Sequence, residues 1–444
     1  MNYLPMVDPE IKDLIAKEEQ RQKETLSFIP SENYASQAVL EALGSGLTNK
    51  YSEGYPNKRY YQGQKYIDAI ESLCLERAKA LFNVPFANVQ PYSGSPANAA
   101  VYFGLLAPGD TIMGLSLKSG GHLTHGVPNI TFSGKFFQSV QYDVGEDGFL
   151  HYDEIEKLAL KHKPRMIIAG ITHYPRQLDF ERFAAIARKV DAFLLADISH
   201  IVSLIIAGVH PSPFVQAHVV TTTTHKTLRG PRGAIIMVTQ KGLEKDPLMG
   251  EKINKAVFPG LQGGPHDQVT AAIAVALQEA SKPQFKRYGL QIAKNAKALA
   301  DSLLCCGLKL MSDGTDNHVM VVDLRQQNIL GNTVAEGLEE AGIVANRNAV
   351  PFDPNPPFYP SGLRLGTPAA TSRGLGLKEM KLIGGWIADI VCDLSRVKHE
   401  MGIVFDQEKK RETRSIIIGK TRKINEIRPK VAKLCRAFPL KKQY

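Results

Sequence analysis

The sequence predicts an α/β protein: a mostly parallel, doubly wound sheet followed by a smaller α+β domain. Three observations carry this. First, five apolar, β-branched runs at 111–115, 166–169, 193–196, 219–223 and 234–238 alternate with helical patterns, notably Asp153–His162 and Phe180–Lys189. Second, polar residues follow the first four runs: His122, then Thr172 and His173, then Asp197 and His200, then His225 and Lys226. Strand ends that gather such groups lie on one edge of an open sheet, where a ligand crevice forms. Third, the pattern changes after about residue 280, so the expected domains are 1–280 and 281–444.

In chain order, Asp8–Glu24 reads as an amphipathic helix that opens at Asp8-Pro9, with proline suited to the first turn. The segment from Phe28 to Tyr34 is too irregular for a helix, and 36–46 is helical again. Thr48–Gly63 is polar and aromatic, with four tyrosines, Glu53 and three basic residues. Loops this long and this polar tend to be functional. After a helix at 66–82, a short strand leads through Ser93-Gly94-Ser95 into another helix. That geometry offers backbone N–H groups to a phosphate. Val257–Gly264 reads as a Gly/Pro-rich loop ahead of helices at 267–279 and 284–304. A strand at 317–323 and helices at 333–341 and 379–398 make up the second domain.

Composition narrows the class. At 444 residues, 43% hydrophobic and 22% charged, the chain is globular, and it holds no run of eighteen apolar residues. Its first residues lack a secretory pattern, and a cytoplasmic location is expected. Five cysteines without C-x-x-C spacing argue against a disulfide framework and a zinc site; no metal is expected. The net charge of +10 is concentrated: residues 401–444 hold thirteen Lys/Arg and four Asp/Glu, a difference of +9. This is a solvated helix face or an attraction for polyanions. No nucleic-acid motif accompanies it.

Chemistry centres on 219–233, a strand of β-branched residues that ends in Thr223, His225 and Lys226 and turns at Gly230-Pro231. An aldehyde cofactor joined to Lys226 as a Schiff base would use several other parts of the chain. Asp197 would keep a pyridine nitrogen protonated. Ser93, Gly94 and Ser95 would take a phosphate, His122 would stack on the ring, and Arg364 would clamp a carboxylate. Each part also has a plain reading: Asp197 as a helix cap, His200 as a core histidine, Arg364 in a structural ion pair. The residues alone leave these open.

Taken together, the blocks resemble serine hydroxymethyltransferase, a fold-type I family dependent on pyridoxal 5′-phosphate. The matching segments are Ser31-Glu32-Asn33, Thr48–Gly54 with Lys58–Tyr61, Ser93–Ser95, Ser119–Gly126, Thr221–Gly233, Gln262–Pro265, Thr315–His318 and Ser361–Pro368. They span nearly the whole chain, in the family's order.

The resemblance implies a large domain with a mostly parallel seven-stranded sheet and a small C-terminal domain. It implies the conversion of serine and tetrahydrofolate to glycine and 5,10-methylenetetrahydrofolate, with pyridoxal phosphate on Lys226. By position, Lys226, Glu53, His122, Asp197 and Thr223 are the expected catalytic groups. Ser93, Gly94, Ser95, Thr172, His200 and His225 join them around the cofactor. Tyr51, Tyr61 and Gly264 would come from a neighbouring subunit, so a homodimer, or a tetramer built from it, is expected. Ser31, Tyr61 and Arg364 would meet the amino acid, and Leu117, Gly121 and Leu123 the folate. No membrane and no required nucleic acid are implied. Against the family pattern stand Thr172 for serine, His173 for a small residue, Ser203 and Ala234 for glycines, and prolines at 356 and 360; the last two bear on folate affinity. A folate-free aldolase on β-hydroxy amino acids is the alternative reaction, and an idle scaffold using the basic C-terminus the alternative class.

Overall fold

The computed structural model describes residues 3–440. They form two compact units: one of residues 31–293 with Thr315–His318, the other of residues 3–30, Lys294–Gly314 and 319–440. The division falls inside the helix Pro283–Cys305, not at 280. Residues up to Pro30, grouped by the sequence reading with the large domain, belong to the second unit. The reason is backbone pairing: Leu26-Ser27 runs parallel to Ile343-Val344, and Arg373 donates to the carbonyls of Gln22 and Thr25.

The first unit is built on seven strands: β1 (Phe86–Asn88), β2 (Thr111–Leu115), β3 (Gln138–Tyr142), β4 (Met166–Gly170), β5 (Phe193–Asp197), β6 (Val219–Thr223) and β7 (Ala234–Val238). Their order is β1-β7-β6-β5-β4-β2-β3. Pairing is parallel from β6 through β3, and β7 runs antiparallel to both of its neighbours. The interior strands are buried on both faces, which is why they read as continuous apolar runs. Alternate side chains serve opposite faces. Met113, Ile167, Leu194 and Val220 share one core, while Ile112, Ile168, Leu195 and Val219 share the other. Strand β3 escapes the sequence reading because it lies at the sheet edge and mixes Gln138, Ser139 and Gln141 with apolar residues.

In the second unit, β8 (Lys309–Leu310), β9 (Val319–Asp323), β10 (Asn346–Asn348) and β11 (Gly362–Gly366) form an antiparallel sheet in the order β8-β9-β11-β10. One core joins it to helices that include Leu377–Glu400 and Arg422–Ala437. The expected loop at 257–264 begins as a distorted helical turn, Ala256–Leu261, broken at Phe258. Among the described residues, no helix is long and apolar enough to cross a membrane.

Candidate active site

Parallel strands deliver their C-terminal ends to one edge, and the side chains that follow them line a crevice of about 190 Å³. Beyond β2 comes His122, beyond β4 Thr172, at the end of β5 Asp197 with Ser199 and His200, and at the end of β6 Thr223, His225 and Lys226. Ser93, Gly94 and Ser95 close it at the N-terminus of helix Gly94–Leu105. Lys226 Nζ donates to Thr223 Oγ1 at 3.0 Å, and the Thr223 amide donates to Ser199 Oγ at 3.0 Å. The wall is therefore tied strand to strand.

The loop Ser93–Ser95 has the shape that its residue types require. Ser93 makes no side-chain cap, so the N–H groups of the first turn face outward without one. A Cβ on Gly94 would lie 2.6 Å from Thr223 Cγ2, so only glycine allows this approach. His225 Nδ1, buried at the same crevice, has no hydrogen-bond partner among the described residues. Burial and the neighbouring charges of Lys226 and Arg232 push its pKa down to about 3.

Asp197 is the most elaborately held group. Asn98 Nδ2 donates to its Oδ2 at 2.9 Å, His125 Nε2 lies 3.2 Å from the same oxygen, and the Ser199 amide donates to Oδ1 at 3.1 Å. The His122 amide donates to His125 Nδ1, so the His125 proton sits on Nε2, facing the carboxylate. Burial raises the pKa of Asp197, but the hydrogen bond from His125, with that from Ser199 and the pull of the neighbouring imidazoles, outweighs it and holds the carboxyl well below the usual range. His122 is the reverse: burial and His125 lower it to about 4, so its ring is neutral near pH 7. Its Nδ1 accepts from the Thr124 amide. His200 stacks on His318, with ring centres 5.5 Å apart, and its Nδ1 meets His318 Nε2 at 3.3 Å.

A second set of predicted residues stands apart from this crevice. Tyr51 and Tyr61 pack edge to face at 5.1 Å, Tyr51 Oη donates to Glu53 at 3.4 Å, and Gly264 lies against the Tyr51 ring. None of the four lines the crevice. Both tyrosines are exposed, at 56% and 43%. Their loop is nevertheless rigidly held. Arg59 donates to the carbonyls of Ser52 and Gly54 and pairs with Asp68 and buried Glu71. Leu117 and Leu123 are exposed, and a Cβ on Gly121 would fall 1.8 Å from the Leu115 carbonyl, so glycine is required there. Ser31 is half-buried in the first unit. Arg364 lies on β11 of the second unit, where its Nε donates to Asn346 at 3.1 Å. Burial brings its pKa down to about 10.

Comparison with known proteins decides the family. The family described as serine hydroxymethyltransferase matches residues 4–387. A serine hydroxymethyltransferase of Acidothermus cellulolyticus is 54% identical over 414 residues, 93% of this chain and 95% of that protein. Another, from Sorangium cellulosum, is 51% identical over 440 residues, 99% of this chain and 96% of that one. A third, from Desulfotalea psychrophila, is 55% identical over 391 residues, 88% and 90% of the two chains. The chain belongs to the serine hydroxymethyltransferase family. The family works with pyridoxal 5′-phosphate and with tetrahydrofolate as co-substrate. The crevice fits that cofactor on its own observations: an uncapped helix N-terminus beside the unpartnered Nδ1 of His225 suits a phosphate, and a buried, low-pKa carboxylate suits a ring nitrogen.

Sequence reasoning missed part of the support. His125 and Asn98 were given no role, yet both bind Asp197, and Thr221 Oγ1 donates to Asn98 at 2.7 Å. The His-x-x-His spacing of His122 and His125 on a tight turn was the available signal for one; nothing local marks Asn98. Thr172 Oγ1 donates to the carbonyls of Gly120 and Gly121 at 3.2 and 3.1 Å, so its hydroxyl braces the loop that carries His122. His173 Nδ1 meets the same hydroxyl at 3.1 Å.

Proposed function

We propose that the Lys226 crevice and the Tyr51–Glu53–Tyr61 cluster together carry out the family's reaction: the interconversion of serine and tetrahydrofolate with glycine and 5,10-methylenetetrahydrofolate. The observation that carries this reading is the placement of the Lys226 amine at a cavity whose other walls are a buried carboxylate held ionised and an uncapped helix N-terminus. Pyridoxal phosphate, when bound, supplies an aldehyde for an amine and a ring that accepts the electron pair released at the amino acid's Cα.

The chain's residues do the rest. The amine of Lys226 holds the aldehyde carbon, and Thr223 Oγ1 orients that amine. Backbone N–H groups at Ser93–Ser95 bind the phosphate. Asp197 holds a proton on the ring nitrogen, and the low pKa of the carboxyl keeps it charged for that task. The neutral His122 imidazole offers a flat face for stacking. Thr172, His200 and His225 complete the wall. Ser31 and Arg364 bind the substrate carboxylate, the guanidinium as a planar fork. Glu53 takes the proton from the serine hydroxyl oxygen. Leu117, Gly121 and Leu123 receive the pterin.

Tyr51, Glu53, Tyr61 and Gly264 act on a second copy of the chain, which makes a homodimer the smallest complete unit. The exposure of Tyr51 and Tyr61, on a loop braced by Arg59, supports this. The cytoplasm is the proposed location. Serine turnover with and without tetrahydrofolate tests the reaction: the proposal expects strong dependence on the folate, and full turnover without it supports the aldolase instead.

A further inference from the structure

The loop after β6 is closed on itself. Thr224 and Gly233 pair through their backbones at 3.1 Å, and the Gly230 amide donates to the Thr224 carbonyl at 2.7 Å. Arg229, in the left-handed region at φ 60°, turns its amide back onto the Lys226 carbonyl at 3.2 Å. That same carbonyl receives a second donor from far away in sequence, Asn33 Nδ2, at 3.1 Å. The orientation of the Asn33 amide is fixed by its neighbours. The Tyr34 amide donates to Oδ1 at 3.0 Å, so the nitrogen must point the other way, where it also donates to Tyr288 Oη at 2.6 Å. The Tyr288 ring in turn lies under the Arg229 guanidinium, 4.2 Å from its centre. Residues 33, 288 and 229 thus surround one peptide group, that of Lys226.

A lysine side chain is long and loses much rotamer freedom when ordered. Here both ends are held: Nζ by Thr223 at 3.0 Å, and the backbone by Asn33 and Arg229. Fixing the base of the side chain aims the amine before anything binds. We propose that Asn33 is a positioning residue for Lys226, donating to its carbonyl so that the amine is already directed into the crevice. Asn33 lies two residues after Ser31, so one short segment serves both the lysine and the proposed carboxylate site.

The inference rests on Lys226 being the lysine that links the cofactor, and its test separates the two claims. Protein freed of cofactor is mixed with pyridoxal phosphate. The link, formed as the amine adds to the aldehyde and water leaves, is trapped over time with borohydride and located by peptide mass spectrometry. The pH midpoint of the bound cofactor's absorption is recorded alongside. In Asn33→Ala, linkage slows by about tenfold, the scale of one lost hydrogen bond, and the midpoint moves. Asn33→Asp has the same shape and keeps the acceptor for Tyr34 but cannot donate; it behaves like Asn33→Ala. Tyr288→Phe, which leaves the bond to Lys226 in place, slows linkage less than either. An Asn33→Asp protein with the wild-type rate and midpoint overturns the inference, as does a Tyr288→Phe loss equal to theirs. Wild-type protein with no adduct at Lys226 overturns the functional reading instead.

Discussion

Lys226 and Tyr51 sit in opposite kinds of surroundings within one compact unit. The lysine lies in a crevice whose buried carboxylate is partnered within the chain: Asp197 meets Asn98, His125 and Ser199. Tyr51, Glu53, Tyr61 and Gly264 form a cluster as rigidly founded, on Arg59 and buried Glu71, but with its aromatic faces open to solvent. The difference sets a partly enclosed crevice beside an exposed cluster that is just as firmly braced, and the proposed function makes the two complementary halves of one site.

The largest effects belong to the crevice. Lys226→Ala removes the amine that lines it and lowers serine turnover by roughly 10³-fold or more; borohydride trapping then yields no adduct, and a persisting adduct transfers the role to another lysine. Next comes the cluster. Glu53→Gln keeps shape and loses the base, so kcat falls by about 10²–10⁴-fold while the cofactor still binds with its wild-type spectrum. A spectrum lost together with kcat would assign Glu53 to the crevice after all.

Arg364 sharpens the contrast from the second unit. Its pKa, lowered to about 10 by burial, still leaves it charged at neutral pH. Truncation to Ala costs roughly 3–5 kcal/mol, more than a hundredfold in kcat/KM, carried mostly by the serine KM. An unchanged KM moves the carboxylate site elsewhere.

The smallest effect is one of stability. His122 and His225 have pKa values of about 4 and 3, against an ordinary 6.5. Between pH 6.5 and these values the unfolded chain binds protons that the folded crevice refuses. Stability from this source is therefore fully present above pH 6.5 and falls as pH drops toward 4. Melting of the cofactor-free protein across that range should show the decline, and His225→Gln should make it shallower. An unchanged slope in the variant contradicts the assignment.

Much of the crevice was legible because parallel strands announce themselves. Runs such as Val219–Thr223 are apolar or β-branched throughout, and the residues just past their ends must share an edge. The edge strand Gln138–Tyr142 was not legible, since one solvated face gives it no such run. The pairing of Leu26-Ser27 with Ile343-Val344 was not either, because two residues carry no periodic signal and their partner lies about three hundred residues away. The same holds within the site. Lys226 and Asp197 could be picked out by position on a strand, whereas Asn98 and Asn33 act through contacts 99 and 193 residues distant in sequence. The family resemblance supplied the expected role of Glu53, whose loop by itself reads as functional without naming a chemistry.

Complementation tests the central claim most directly, that the two halves meet across chains. Lys226→Ala and Glu53→Gln proteins, each nearly inactive alone, are unfolded together, refolded as a mixture and assayed for serine turnover with tetrahydrofolate. If the sites are shared, half of a random dimer population is mixed, and each mixed dimer carries one intact site, so activity returns to about a quarter of the wild-type value. If crevice and cluster serve the same chain, every site carries one of the two lesions, and the mixture stays as inactive as its components.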